Sequence, residues 1–310
     1  MTCTLLPSSI DSGVALIDLH THTDRSDGST APGDLVRQAC ALGLEALAIA
    51  DHDTLAGYDT AGPVAAEHGL ELICAVELST RPDRPKAAGK RESSVHVLGY
   101  WLLSPPTPEF RKWLETQQAS RRQRNLDLTA KLNQLGVAIK LEDAEVYGRN
   151  QVGRPHIAKV LLDKGYVSNL QEAFDKYLAD DARAAVERDE PSLDEGIQRI
   201  RDGGGIPSLA HPVRLRRSAA ELAELVERLL SVGLRGIEVF HSEHAPSDCR
   251  DYAELARRFR LIPTGGSDFH GDNKPAVRLG TGIGGNLSLS YGFLEEMREL
   301  AGRDSRAVAR

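Results

Sequence analysis

A chain of 310 residues with 41% hydrophobic and 27% charged side chains has the composition of an ordinary globular protein, long enough for one α/β domain with an insertion. A net charge of -7 and an aromatic content of 5% argue against a basic face for duplex DNA and against an aromatic-lined groove for long single strands. No stretch reaches the roughly 18 apolar residues of a membrane helix, the start lacks the pattern of a secretory leader, and the four cysteines are scattered, so the expectation is a cytoplasmic protein with reduced thiols.

Residues 1–13 read as a flexible extension, and the first apolar run, Val14–Leu19, as a buried strand. It ends in His20-Thr21-His22. Residues i and i+2 of an extended chain point to one side, so the two imidazoles converge just past the strand, and Asp27 follows in a Ser-Asp-Gly turn. Thr30-Ala31-Pro32 opens a helix with Leu35, Val36, Ala39 and Leu42 on its inner face and a stop at Gly43. The second strand, Ala46–Ala50, runs into Asp51-His52-Asp53, and a helix over Leu55–His68 leaves His68 at the surface. Strand three, Leu70–Val76, ends at Glu77; a long basic loop, Arg81–Glu92, precedes strand four, Val95–Tyr100, which contains His96.

Residues 105–191 break this rhythm. Helical patterns at Glu109–Leu135, Pro155–Asp163 and Leu170–Leu178, with no comparable β-rich run, predict a helical insertion placed over the strand ends as a substrate lid. Its basic cluster, Arg121-Arg122-Gln123-Arg124, reads as a solvated helix face with acidic neighbours. The alternation then resumes through a helix over Leu193–Arg201, strand Gly205–Ala210 ending at His211-Pro212, and a helix over Ala219–Leu230. Strand Gly236–Phe240 leads to His241 and His244, and a helix over Ser247–Phe259 to strand Leu261–Thr264, which ends at Ser267-Asp268-Phe269-His270. Strand alternating with helix predicts parallel strands, and reactive residues at successive strand ends favour a barrel, whose catalytic groups gather at one rim.

Imidazoles mixed with carboxylates, and no cysteine among them, suit Mn, Fe or Zn better than Mg or Ca. Asp51 and Asp53 are expected either to orient His52 or to serve the turn.

The set His20-x-His22, Asp27, Asp51-His52-Asp53, Glu77, His96, Ala210-His211-Pro212 and Ser267-Asp268-x-His270 resembles the PHP superfamily of metal-dependent phosphoesterases, over roughly residues 15–101 and 192–285. The resemblance implies an α/β fold, a distorted (β/α)7 barrel of seven parallel strands, here residues 14–104 and 192–302, with two or three divalent metals at its rim. Carried over motif by motif, it implies that His20, His22, Glu77 and Asp268 hold one metal, that Glu77 bridges to a second completed by His96 and His211, and that Asp27, His52 and His270 form a third. Such a centre predicts in-line attack on a phosphate ester by a hydroxide bridging two metals, with no covalent phosphoenzyme. His244, which matches a histidine of the relatives, is favoured over His241 to protonate the leaving alkoxide.

Gly153-Arg154-Pro155-His156 opens a helix whose backbone donors, Arg154 and His156 can take a phosphate, or else simply cap the helix; Arg214 is a further candidate contact. The arrangement resembles the branch that removes phosphate from nucleoside 3′,5′-bisphosphates or trims short RNA from its 5′ end, in which the Arg-x-His of the insertion contacts substrate. The expected partner is therefore a small phosphorylated substrate, a nucleotide or short RNA, with no duplex DNA, membrane or protein partner implied. The alternatives are a histidinol-phosphate phosphatase and, in another class, a non-catalytic metal-binding PHP module.

Overall fold

The computed structural model describes residues 16–81, 94–148, 151–179 and 181–308, so the expected extension and nearly all of the basic loop after Arg81 lie outside the described residues. Seven strands stand in chain order in one sheet: β1 (Leu16–Thr21), β2 (Leu44–Ile49), β3 (Glu71–Thr80), β4 (Val95–Trp101), β5 (Ile206–Leu209), β6 (Gly236–His241) and β7 (Ile262–Gly266). Helices α1 (Pro32–Ala41), α2 (Ala56–His68), α7 (Leu193–Asp202), α8 (Ala219–Val232) and α9 (Pro246–Phe259) pack around the sheet, and α10 (Tyr291–Val308) follows it. Among the described residues no helix is long and apolar enough to cross a membrane.

Side-chain alternation explains the packing. Along β2, Ala46, Ala48 and Ala50 join one buried cluster and Leu47 and Ile49 another; along β3, Ile73 and Ala75 part from Cys74, Val76 and Leu78 in the same way. Glu77 therefore shares its side of β3 with Ile73 and Ala75, and His96 its side of β4 with Leu98 and Tyr100. The helices dock by apolar stripes such as Leu222, Leu225, Val226 and Leu229 on α8, whose start is fixed by a Ser218–Glu221 capping box.

The sheet closes where β7 meets β1. Asp268 N–H donates to His20 O at 2.7 Å and His22 N–H to Phe269 O at 2.8 Å. Beneath this seam the buried Asp18 carboxylate accepts Ser267 N–H and Gly280 N–H, each at 2.8 Å, and Ser267 Oγ–H at 2.5 Å. A Cβ on Gly266 would stand 2.2 Å from His20 N, so only glycine lets the two strands approach this closely.

One expectation is corrected. The barrel is not all parallel: β4 runs antiparallel to both β3 and β5. Its first residue pairs with the last of β3, Val95 with Thr80, so the chain runs back along its neighbour. The reversal puts the start of β4, and with it His96, at the same rim as the ends of the parallel strands.

Between β4 and β5 lie α3 (Pro108–Gln134), α4 (Leu141–Gly148), α5 (Arg154–Asp163) and α6 (Leu170–Ala173), the last continuing as a π-helical turn, Phe174–Leu178. Their apolar residues, among them Leu128, Leu132, Ile157 and Leu161, form a cluster of their own.

Candidate metal centre and active site

The strand ends bring nine predicted residues to one rim. Among the described residues, ligand-type atoms form four overlapping groups, each with its atoms within 4.8 Å of one another: His20, His22, Glu77 and Asp268; His52, Glu77 and His96; His22, Asp27, His52 and His270; and His20, Glu238 and His241. Glu77 stands at the centre. Its Oε1 lies 2.7 Å from both His96 Nδ1 and His211 Nε2. Its Oε2 lies 3.0 Å from His22 Nε2, 3.2 Å from His20 Nε2 and 3.5 Å from His52 Nδ1. His211 and Asp268 hold positive φ angles of 25° and 58°, conformations a non-glycine residue keeps only where its surroundings demand it.

The imidazoles are aimed by their other nitrogens. His20 Nδ1–H donates to Glu238 at 2.8 Å and His270 Nδ1–H to Asp268 O at 2.8 Å, so both turn Nε2 toward the carboxylates. His20 and His22 then face each other, Nε2 to Nε2, at 3.2 Å, while Asp268 Oδ1, His52 Nδ1 and His211 Nδ1 are buried without a hydrogen-bond partner among the described residues. Five imidazoles on one carboxylate exceed what its lone pairs can satisfy, and facing acceptors need a shared cation. The donor set thus fits divalent ions, with Glu77 common to two groups.

Without a cation, protons take its place. Burial opposes charge on His22, yet the Asp268 and Glu77 carboxylates beside it push its pKa up to about 9. Burial alone would raise the Glu77 carboxyl, but His52, His96 and His20 hold it well below the usual range. His52 is pushed down to about 3 and His211 to about 4, chiefly by burial, so both offer the neutral imidazole that a metal binds.

Several expectations change. Asp51 accepts from Thr23 N–H at 2.7 Å, Thr23 Oγ–H at 2.6 Å and Ser26 Oγ–H at 2.6 Å, and so braces the turn after β1 rather than His52. Asp53, at φ 54°, anchors the insertion: its carboxylate takes Arg121 and, at 3.1 Å, Arg188, and its carbonyl accepts from Gln118 at 3.1 Å. The basic cluster is accordingly no solvated face. Arg122 is exposed beside Glu145, but Arg121 and Arg124 point inward.

His156 Nδ1 accepts Gly153 N–H at 2.9 Å and closes the α5 cap, while Arg154 lines the open cleft. Arg214 donates to Glu243 at 2.8 and 2.6 Å and to Asp268 Oδ2 at 2.7 Å, and Lys274 reaches the same Oδ2 at 2.7 Å. The two candidate acids differ in orientation. His244 Nδ1–H donates to Val239 O at 2.9 Å, burial lowers its pKa, and its ring lies against Tyr252. His241 Nδ1 instead accepts Glu243 N–H at 3.1 Å, which leaves the proton on Nε2, 3.4 Å from Asp268 Oδ2.

Sequence reasoning gave no role to Glu238, Asp18, Arg188 and Lys274. A signal existed for the first two: a carboxylate inside an apolar strand cannot be buried without donors. The cluster opens at Asp27, His52 and His96 into a cleft of about 990 Å³, walled by insertion residues that include Arg121, Arg124, Arg154 and Phe174.

Residues 18–181 match the sequence profile of the PHP domain. The chain is 33% identical over 253 residues to a 5′-3′ exoribonuclease of Haemophilus influenzae, covering 82% of this chain and 89% of that one. It is 30% identical over 259 residues to a 3′,5′-nucleoside bisphosphate phosphatase of Chromobacterium violaceum, covering 83% and 88%. A crystal structure from Bifidobacterium adolescentis, of a protein assigned as a metal-dependent phosphoesterase, superposes with a TM-score of 0.74 at 31% identity, covering 92% of this chain and 96% of the other.

Proposed function

This chain belongs to the PHP family and is a metal-dependent phosphoesterase, and from that premise we propose that it hydrolyses a nucleoside 3′,5′-bisphosphate at the 3′-phosphate or acts on a short 5′-phosphorylated oligonucleotide. The observation that carries this reading is the cleft of about 990 Å³, which joins the open edge of the cluster to Arg154 and Phe174 of the insertion. That volume is at the upper end of small-molecule sites and has room for a base as well as phosphate. The insertion is read as the lid over this cleft, with Phe174 as a face for the base.

In this reading His20, His22, Glu77 and Asp268 hold one divalent ion, Glu77, His96 and His211 a second, and Asp27, His52 and His270 a third, the ions being two or three of Mn, Fe or Zn. Bound there, such ions lower the pKa of a water toward about 7 and offset the charge on the phosphate oxygens. Arg154, at the first turn of α5, orients the substrate through its guanidinium and the adjoining helix N-terminus. Arg214 holds Asp268 in place and stands beside the position of the scissile phosphate. His241, whose Nε2–H faces the cluster, is better placed than His244 to hand a proton to the leaving oxygen.

The test is phosphate release by Mn-loaded protein from 3′,5′-adenosine bisphosphate, 5′-AMP, histidinol phosphate and a 5′-phosphorylated short RNA. Turnover of the bisphosphate that spares 5′-AMP is the expected result, and preference for histidinol phosphate overturns it. His241→Gln is expected to lower kcat about 100-fold or more, the usual range for a general acid, and His244→Gln by far less.

A further inference from the structure

Arg124 is the most unusual charged residue outside the metal cluster. It lies on α3 one turn beyond Arg121, is 5% exposed, and lines the cleft that opens onto Asp27, His52 and His96. Its neighbours have partners: Arg121 and Arg188 both bond Asp53, and Arg188 also reaches Glu190 at 3.2 Å. Arg124 has no hydrogen bond or ion pair among the described residues, and its Nε is buried without a partner. Burial together with the guanidiniums of Arg121, Arg154 and Arg188 pushes its pKa down to about 9 against a smaller opposing pull from Glu190. Glu187, Asp189 and Glu190 also line the cleft; the first two are exposed and Glu190 is taken up by Arg188. A buried guanidinium crowded by three others, with no carboxylate bonded to it, is a poor structural element. It is a good half of a charge-assisted pair whose other half is a ligand.

We propose that Arg124, flanked by Arg121 and Arg154, forms a second anion subsite that receives the non-scissile phosphate of the substrate while the scissile one sits at the metal cluster. This rests on the two-phosphate reading above and extends it by naming the residue that sets the selectivity. The Asp53 pairs hold Arg121 and Arg188 rigid, so a phosphate entering the subsite meets an already oriented wall.

The test separates the subsite from the reaction. Kinetics of the Mn-loaded protein are measured on 3′,5′-adenosine bisphosphate and on 3′-AMP, which keeps the scissile phosphate and lacks the other. Arg124→Met preserves the apolar stem, and Arg124→Lys keeps a charge. Removing the guanidinium should raise KM for the bisphosphate about 10-fold or more and leave kcat/KM for 3′-AMP unchanged, with Arg124→Lys between. Because Arg124→Met deletes a buried unpaired charge, its melting temperature should be equal to or above that of the native chain. Equal losses on both substrates, or a lowered melting temperature, would show a structural role and overturn the proposal. Calorimetric titration with 5′-AMP gives a reading that needs no turnover: the native chain should bind it about 10-fold or more tightly than Arg124→Met. If the bisphosphate is not hydrolysed yet this difference is found, the subsite stands and the substrate assignment falls. If the bisphosphate is hydrolysed and neither selectivity nor 5′-AMP affinity responds to Arg124→Met, the subsite falls alone.

Discussion

The carboxylate of Glu238 takes the Nδ1–H of His20 at 2.8 Å and the amide N–H of His211 at 2.6 Å, and so fixes two residues of the cluster from behind. Burial works against its charge, but His20 and His241 hold the carboxyl down to about 2, from 4.5 in an unfolded chain. A carboxyl with a depressed folded pKa stabilises the fold fully above the unfolded value and loses that contribution as pH falls through the folded one. In the chelated protein, Glu238→Gln should therefore cost about 1–3 kcal/mol at neutral pH by urea unfolding, since the amide keeps an acceptor but not the charge. The gap from the native chain should close as pH falls from 4.5 toward 2, and a constant gap over that interval would refute the assignment. His20, His22 and Asp268 were legible because they sit at strand ends, where a polar residue needs a reason. The position of Glu238 inside an apolar strand was visible, but its role was not, because the donors it takes, His20 and the His211 amide, come from strand ends that only the closed barrel brings beside it.

At the scale of elements, all seven strands could be found from apolar runs bounded by glycine, proline and polar residues. The direction of β4 could not, because an apolar run carries no sign, and only the pairing of Val95 with Thr80 turns it round. The inward face of α3 was equally hidden. Arginine at Arg121 and Arg124 reads as solvated unless the chain is known to place Asp53 opposite, and that pairing crosses 68 residues. Gly266 is where two elements are held closest. Gly266→Ala should destabilise by about 1–3 kcal/mol or more by urea unfolding, as overpacking against backbone does. It should also lower activity, since the atom it strikes belongs to His20. Native stability in that variant would contradict the closed seam between β1 and β7.

For the whole molecule, the cluster binds together β1, β3, β4, β7 and the turns beside them, so any ion bound there favours the folded chain by mass action. Saturating Mn at 1,000 times its dissociation constant should add about 4 kcal/mol of apparent stability over the chelated protein. Asp268→Ala should lose that increment together with turnover, whereas His68→Ala, exposed at the end of α2, should lose neither. Retained Mn-dependent stabilisation in Asp268→Ala would remove it from the ligand set.

The Asp18 bonds that seal the barrel join residues 249 and 262 positions apart. β1 leaves the ribosome before the other six strands of the sheet, and its partners across the seam follow the last of them. At about 5–20 residues per second, it waits roughly 12–50 s for Ser267 to appear. The insertion, with its own apolar cluster, is complete well before then. A nascent chain stopped short of Ser267 would hold the helices of the insertion but only part of the cluster, which is complete only once Asp268 and His270 have been made.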